Sequence, residues 1–365
     1  MLDSRLRKHL DFPLLALTLG VAVLGIVTIY SVTRDHPGRF YAKQTVWLVL
    51  GLACIAGAAS LDYSRLARLA RPLYAANLAM LLAVFRLAEE TKGSQRWIDL
   101  GPLQFQPSEF AKLTMILCLA AWLVPRQEKI SEFPTLLGSF AYMAVPMLLI
   151  FKQPDLGTSL VLAAIWFGMA YMAGARARHL AVFLAAGVML FAGMWHFNVL
   201  KSYQKNRLAA FVSPEADPRG VGYQVLQSRI AVGSGQVWGK GFGRGSQSHG
   251  RFIPENHTDF IFTVVGEEGG FVLSASLIAL YAGILARGAR TIALAEDAFG
   301  RLMASGIVSM YAFHIIVNLG MTLGIMPVTG VPLPLFSYGG SNLLLNLTAI
   351  GLLLGIGMRR HRLTF

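Results

Sequence analysis

Charge is scarce in this sequence, and acidic charge is scarcest. Asp and Glu number 19 against 32 Lys and Arg, and charged residues make up 14% of the 365 positions. A soluble domain carries about a quarter, so an ordinary water-facing surface is excluded. Cysteine is nearly absent as well: Cys54 and Cys118 both lie inside apolar runs. A thiol there reads as a small buried side chain, and no disulfide or metal pair is indicated. There is no Walker-type phosphate loop, no Cys/His metal spacing and no dinucleotide fingerprint after a strand.

What the chain has in abundance is apolar residues, 55% of the total, with a mean hydropathy of +0.55. That composition predicts an all-α polytopic membrane protein. Stretches of about 17–25 apolar residues place ten spans at 12–32, 44–60, 70–87, 107–125, 135–151, 156–173, 179–197, 259–286, 302–325 and 340–358. Arg5, Arg7 and Lys8 precede the first run, which lacks a small-residue cleavage site, so it reads as an anchor and not as a removable signal. The formal net charge of +13 raises the question of nucleic acid, but the basic residues are scattered over loops and form no tract; nucleic acid is not an expected partner.

The distribution of those basic residues sets orientation. With the N-terminus cytoplasmic, short inner segments hold sixteen Lys and Arg and short outer ones seven. The positive-inside rule then puts both termini in the cytoplasm. The polar islands at 88–107, 153–155, 198–258 and 327–341 all emerge on the outer face, with 198–258 a large extracytoplasmic loop between helices 7 and 8. No repeat or linker divides the chain, so 1–365 reads as a single membrane domain.

The densest island is the junction Arg251 to Gly270, where a polar segment carrying His257, Thr258 and Asp259 runs directly into a span containing Glu267 and Glu268. Carboxylates at a membrane boundary are costly and call for a reason. Asp259 as the cap of the coming helix is one reading; Asp259 as a reactive carboxylate is the other. Glu109 and Lys112 open another span at i and i+3, either as an ion pair or as an ammonium awaiting an anion. Gly239, Gly241, Gly243 and Gly245 alternate with Lys240 and Arg244, a weak phosphate-binding pattern. The stretch Pro327 to Ser341 has no charge and three prolines. Non-helical backbone this apolar must be buried or line a cavity, which makes Ser337, Tyr338 and Ser341 candidate pocket groups.

Five motifs now stand in order: Gly93–Trp97, Gln106–Lys112, Gln153–Ser159, His257–Phe262 with Gly266–Glu268, and Pro332–Ser341. Together they resemble the SEDS family (shape, elongation, division, sporulation) over nearly the whole chain, and Gly222 to Gly243 resembles its elongation members more than its division members. The resemblance implies a peptidoglycan glycosyltransferase of the bacterial cytoplasmic membrane that polymerises lipid II at the outer face. It also implies membrane lipids around the chain, and as partners a class B penicillin-binding protein and other elongation-complex proteins. By the same resemblance Asp259 matches an essential aspartate, while Glu109, Lys112, Arg207 and Glu268 match cavity-lining positions. Lys240 and His257 join them as candidate substrate contacts. A divalent cation, Mg or Mn, is implied by resemblance alone. A lipid II flippase, a scaffold for the penicillin-binding protein and a division paralogue are the alternatives.

Overall fold

The structure, a computed structural model, describes residues 9–34, 36–87, 97–99, 104–197, 202–217, 220–250, 252–254 and 256–359. The Gly93–Arg96 part of the first motif, and Glu255, lie outside them. In chain order the helices are α1 (Phe12–Thr33), α2 (Phe40–Ser60), α3 (Tyr63–Arg68), α4 (Ala70–Leu87), α5 (Pro107–Leu123), α6 (Phe133–Lys152), α7 (Leu156–Ala173), α8 (Ala177–His196), α9 (Ser202–Val212), α10 (Val221–Ser234), α11 (Ser246–His249), α12 (Ile261–Leu294), α13 (Ala298–Thr322) and α14 (Gly340–Met358). Among the described residues, nine are long and apolar enough to cross a membrane. The tenth expected span, α4, carries Arg71, Asn77 and Arg86 and falls short of the others in apolarity. One departure from the all-helical expectation is a small antiparallel pairing of Ile98–Asp99 with Gln104–Phe105 just before α5.

The bundle has a centre and a rim. α14 packs along α2, α13 along α7, and α12 against α1 and α13. In the most apolar window of α14, 78% of residues are buried; in that of α8, none are. α8 is therefore a peripheral helix, held through Phe183 against Phe133, Phe140 and Trp166.

Contacts sort the connections into two ends. At one, Asp11 pairs with Arg287, Tyr63 donates to Asp297 and Arg359 donates to the carbonyls of Ala59 and Ser60. At the other, Ser31 meets Gly243, Phe40 meets His257 and Tyr338, and Gln106 meets Asp155. The described parts of all four polar islands fall at this second end, as the alternation of spans requires.

The 198–258 loop is mostly helical and docked. Ser228 of α10 bonds to Thr263 Oγ1 at 2.6 Å and donates to the Thr322 carbonyl at 2.7 Å, tying the loop to the ends of α12 and α13. The tightest seam is at a break in α12, where Gly270 adopts φ +60° and ψ −157°, a conformation open essentially to glycine. A break inside a span leaves backbone groups unpaired, and these must find partners in protein. Here the loop supplies them. The Lys240 and Gly241 amides donate to the carbonyls of Glu267 and Glu268 at 3.0 Å, and the Phe271 and Val272 amides donate to Gln236 and Val237 at 2.8 and 3.1 Å.

Candidate active site

The site is framed by the irregular stretch from Pro327 to Gly339. Its prolines forbid helix, so its carbonyls must be satisfied from elsewhere. Side chains of four helices do this: Arg207 Nη1 donates to Thr329 O at 3.0 Å, Asn318 Nδ2 to Val331 O at 2.8 Å, Tyr281 Oη to Pro334 O at 2.7 Å and Gln44 Nε2 to Ser337 O at 3.0 Å. The expectation that this segment is buried in protein is met, since Val331, Leu333, Leu335 and Phe336 are almost fully buried.

Asp259 lies in the turn before α12, half-buried. The N-cap position of α12 falls to Phe260, so the capping reading of Asp259 does not describe this helix. Its carboxylate and the Arg207 guanidinium both border Gly330. Asp259 Oδ2 and Arg207 Nη1 both stand 3.4 Å from the point where a Cβ on Gly330 would lie, and Gly330 itself has φ +74°. Any side chain there would be strained and would press between the two charges. Asn318 fixes the arrangement from behind, since its Nδ2 donates both to Asp259 O at 2.9 Å and to Val331 O.

Lys112 sits in a second, sealed group. It is 1% exposed, and its Nζ donates to Glu109 Oε1 at 2.7 Å and lies 3.3 Å from His314 Nε2. His314 Nδ1 is 3.1 Å from Pro332 O. A carbonyl accepts only from a ring N–H, so Nδ1 carries the proton and Nε2 accepts from the ammonium. Lys112 is thus not an ammonium awaiting an anion: it is paired, and through His314 it holds Pro332, one residue from the carbonyl that Asn318 holds. Three polar atoms around this frame, Glu109 Oε2, Asn318 Oδ1 and Thr329 Oγ1, are buried without a hydrogen-bond partner.

The third group is about 12 Å further along α12. Glu267 is fully buried and accepts from Lys240 Nζ at 2.7 Å, Gln247 N at 2.9 Å, Ser248 N at 2.9 Å and Ser248 Oγ at 2.6 Å. Glu268 accepts from Ser31 Oγ at 2.6 Å and lies 3.0 Å from His249 Nε2. Two glycines of the alternation, Gly239 and Gly245, find a packing reason here, as does Gly235. A Cβ on Gly235 or Gly239 would run into the carbonyls of Gly266 or Glu268, and one on Gly245 would lie 2.8 Å from Glu267 Oε2. These glycines let the loop close onto the broken helix, and Lys240 ties that closure.

The remaining candidates are framework. Ser337 Oγ donates to Thr258 O at 2.7 Å and accepts from Leu333 N at 2.9 Å; its hydroxyl is committed and is not a pocket group. Tyr338 N donates to His257 O, and the His257 and Tyr338 rings both pack on Phe40 at 4.8 Å. Burial pushes the Tyr338 phenol above its ordinary pKa, so it stays protonated. Ser341 lies half-buried in the first turn of α14. Sequence reasoning missed His314, Asn318 and Gln44. The signal was present for the first two: a histidine and an asparagine four residues apart inside an apolar run are intramembrane polar groups on one helix face.

Among the described residues no three His, Cys, Asp or Glu side chains converge into a metal-binding group. Among the described residues, Asp259 and the Arg207 guanidinium border Gly330; such a set forms no all-protein cage, and a Mg or Mn ion would be held by Asp259 together with substrate phosphates.

Residues 9–362 match the family model of FtsW, RodA and SpoVE, described as cell cycle protein. The chain is 36% identical over 358 residues to the peptidoglycan glycosyltransferase MrdB of Escherichia coli K12, covering 98% of this chain and 96% of that protein. It is also 36% identical over 358 residues to the probable peptidoglycan glycosyltransferase FtsW of Trichlorobacter lovleyi, with coverage of 95% and 92%. Among solved structures, a chain from a study of how a peptidoglycan synthase complex coordinates polymerization and crosslinking matches with a TM-score of 0.81 and 35% identity, over 97% of this chain and 99% of that one. The rod shape determining protein RodA of Thermus thermophilus matches with a TM-score of 0.73 and 33% identity, over 97% and 98%.

Proposed function

This chain belongs to the FtsW, RodA and SpoVE family, and from that premise we propose that it is a peptidoglycan glycosyltransferase of the RodA kind, polymerising lipid II for cell elongation. Identity alone does not separate the branches, since MrdB and an FtsW stand at the same 36%. Two observations favour elongation: the RodA structural neighbour and the elongation-like segment Gly222 to Gly243.

The observation that carries the reading is that Asp259 and Arg207 both border Gly330, at the polar end of an apolar bundle. Glycan polymerisation joins a sugar hydroxyl of one lipid-linked unit to the anomeric carbon of another. As the new C–O bond forms, the bond from that carbon to the polyprenyl pyrophosphate breaks, and the hydroxyl proton must leave. Asp259 takes that proton as general base. Arg207 offers guanidinium donors to the departing pyrophosphate. Asn318, His314 and Lys112 act on the frame: they fix the carbonyls on either side of the Asp259 turn, so that the base does not drift.

We place the Asp259 end at the outer face of the bacterial cytoplasmic membrane and both termini inside, on the asymmetry of basic residues in short loops. A class B penicillin-binding protein is the partner we expect, on the likeness to a chain from work on a synthase complex. A flippase needs polar groups reaching through to both faces, whereas the polar clusters at Asp259, Lys112 and Glu267 gather toward one end. Polymerisation of lipid II by the purified protein, compared with Asp259→Asn, is the test. Glycan product from the wild type and none above background from the variant supports the assignment. No product from a folded, partner-bound wild type overturns it.

A further inference from the structure

The end of the bundle opposite Asp259 holds a cavity of about 130 Å³ between the start of α1 and the last turns of α12, lined by His9, Leu10, Asp11, Arg287, Arg290 and Leu294 among others. That is several times the space one water needs. Asp11 is fully engaged there: it caps α1 by accepting from Leu14 N at 3.0 Å, and both its oxygens accept from Arg287, the shortest contact being Nη2 to Oδ2 at 2.7 Å. The bond orients Arg287 but leaves its Nη1 without a partner among the described residues. Arg290, exposed one turn further on, makes no ion pair or side-chain hydrogen bond among them.

Two guanidinium groups therefore offer donors to one cavity whose carboxylate among the described residues, Asp11, is already committed. Planar guanidinium forks match the paired oxygens of a phosphate, and the N-terminus of α1 adds the positive end of its dipole. The surroundings decide which phosphate. Phe12 and Leu294, at the edges of the site, are 63% and 41% exposed, so apolar surface flanks the charged pocket as acyl chains would require. The basic character is local, because a second cavity at this end is lined by Asp62, Glu296 and Asp297 with a single Arg359.

We propose that this cavity binds the phosphate of an anionic phospholipid headgroup. Basic pockets between helices at a membrane boundary suit such lipids, each Arg near the surface contributing about 1 kcal/mol. The proposal is independent of the catalytic reading. It is tested on the full chain released from nanodiscs of equal phosphatidylglycerol and phosphatidylcholine, with retained lipid counted by native mass spectrometry. Wild type retains phosphatidylglycerol in excess, Arg290→Ala lowers that excess about fivefold, the factor for about 1 kcal/mol, and Arg178→Ala, the same charge change at an exposed site outside the cavity, leaves it unchanged. An unaltered excess in Arg290→Ala, or an equal fall in Arg178→Ala, overturns the proposal. A second arm adds inorganic phosphate to lipid-free protein in detergent. An Arg290-dependent rise in melting temperature there, without lipid preference in the first arm, assigns the pocket to a soluble anion and overturns the lipid.

Discussion

Asp259 and Glu267 are two carboxylates eight residues apart at the start of one helix, and their surroundings are opposite. Glu267 is fully buried and accepts from an ammonium, two amides and a hydroxyl. Asp259 is half-buried and faces the guanidinium of Arg207 across Gly330. Glu267, buried under its donors, holds structure, whereas the half-buried Asp259 keeps one side toward solvent. Position in a motif does not separate these two carboxylates, whereas burial does.

The comparison breaks most sharply on the isosteric amides. Asp259→Asn is expected to lower lipid II polymerisation by about 10²–10⁴-fold with melting temperature and partner association unchanged; near-normal glycan from the folded variant would return Asp259 to a structural role. Glu267→Gln is expected to do the reverse, destabilising by about 3–5 kcal/mol by leaving Lys240 without its buried partner, while the folded fraction keeps its turnover. Chemical denaturation and polymerisation per folded molecule check the two halves, and a stable but inactive Glu267→Gln protein would erase the distinction.

Lys112 sharpens it further. Lys112→Met strands the buried Glu109 and is expected to cost about 3–5 kcal/mol, most of it recovered by adding Glu109→Gln. If Lys112 works by holding His314 and Pro332, the double variant regains thermal stability but not full polymerisation; complete recovery of rate would make the pair purely structural. Asn318→Ala leaves two carbonyls without their donor and is expected to cost about 1–3 kcal/mol, with turnover falling more than substrate affinity, as steady-state kinetics will read. The smallest effect is topological: a cysteine at Ser246, which is exposed, reacts with an impermeant thiol reagent from outside and one at Arg178 does not, the reverse pattern inverting the orientation.

Span existence was legible because a 17–25-residue apolar run has few other fates. Three of ten boundaries, 70–87, 156–173 and 340–358, coincide with helices Ala70–Leu87, Leu156–Ala173 and Gly340–Met358. The break in α12 was not legible, since Gly269-Gly270 inside an apolar run reads equally as tolerated glycine, and only the loop's amides reveal why the helix opens. Asp259 was legible as a boundary carboxylate. Arg207, carried over by resemblance, acquires a physical reason only from its bond to Thr329 O and its place with Asp259 around Gly330, 123 positions away in sequence. The Lys112 pairing was visible at i and i+3, but its third member, His314, belongs to another helix and no local pattern points to it.

The seam between Gln236–Gly241 and the opening at Gly270 bears on how the protein is made. The loop precedes α12 in the chain, so under the proposed orientation its donors and acceptors are across the membrane before the broken helix reaches the insertion machinery. The helix thus enters a bilayer in which the partners for its unpaired groups are waiting, and the exposed intermediate is short-lived. In the reverse chain order the break would cross lipid unaccompanied. Chimeras between relatives must therefore exchange the loop and the first half of α12 together, or the transplanted loop will arrive without the seam that folds it.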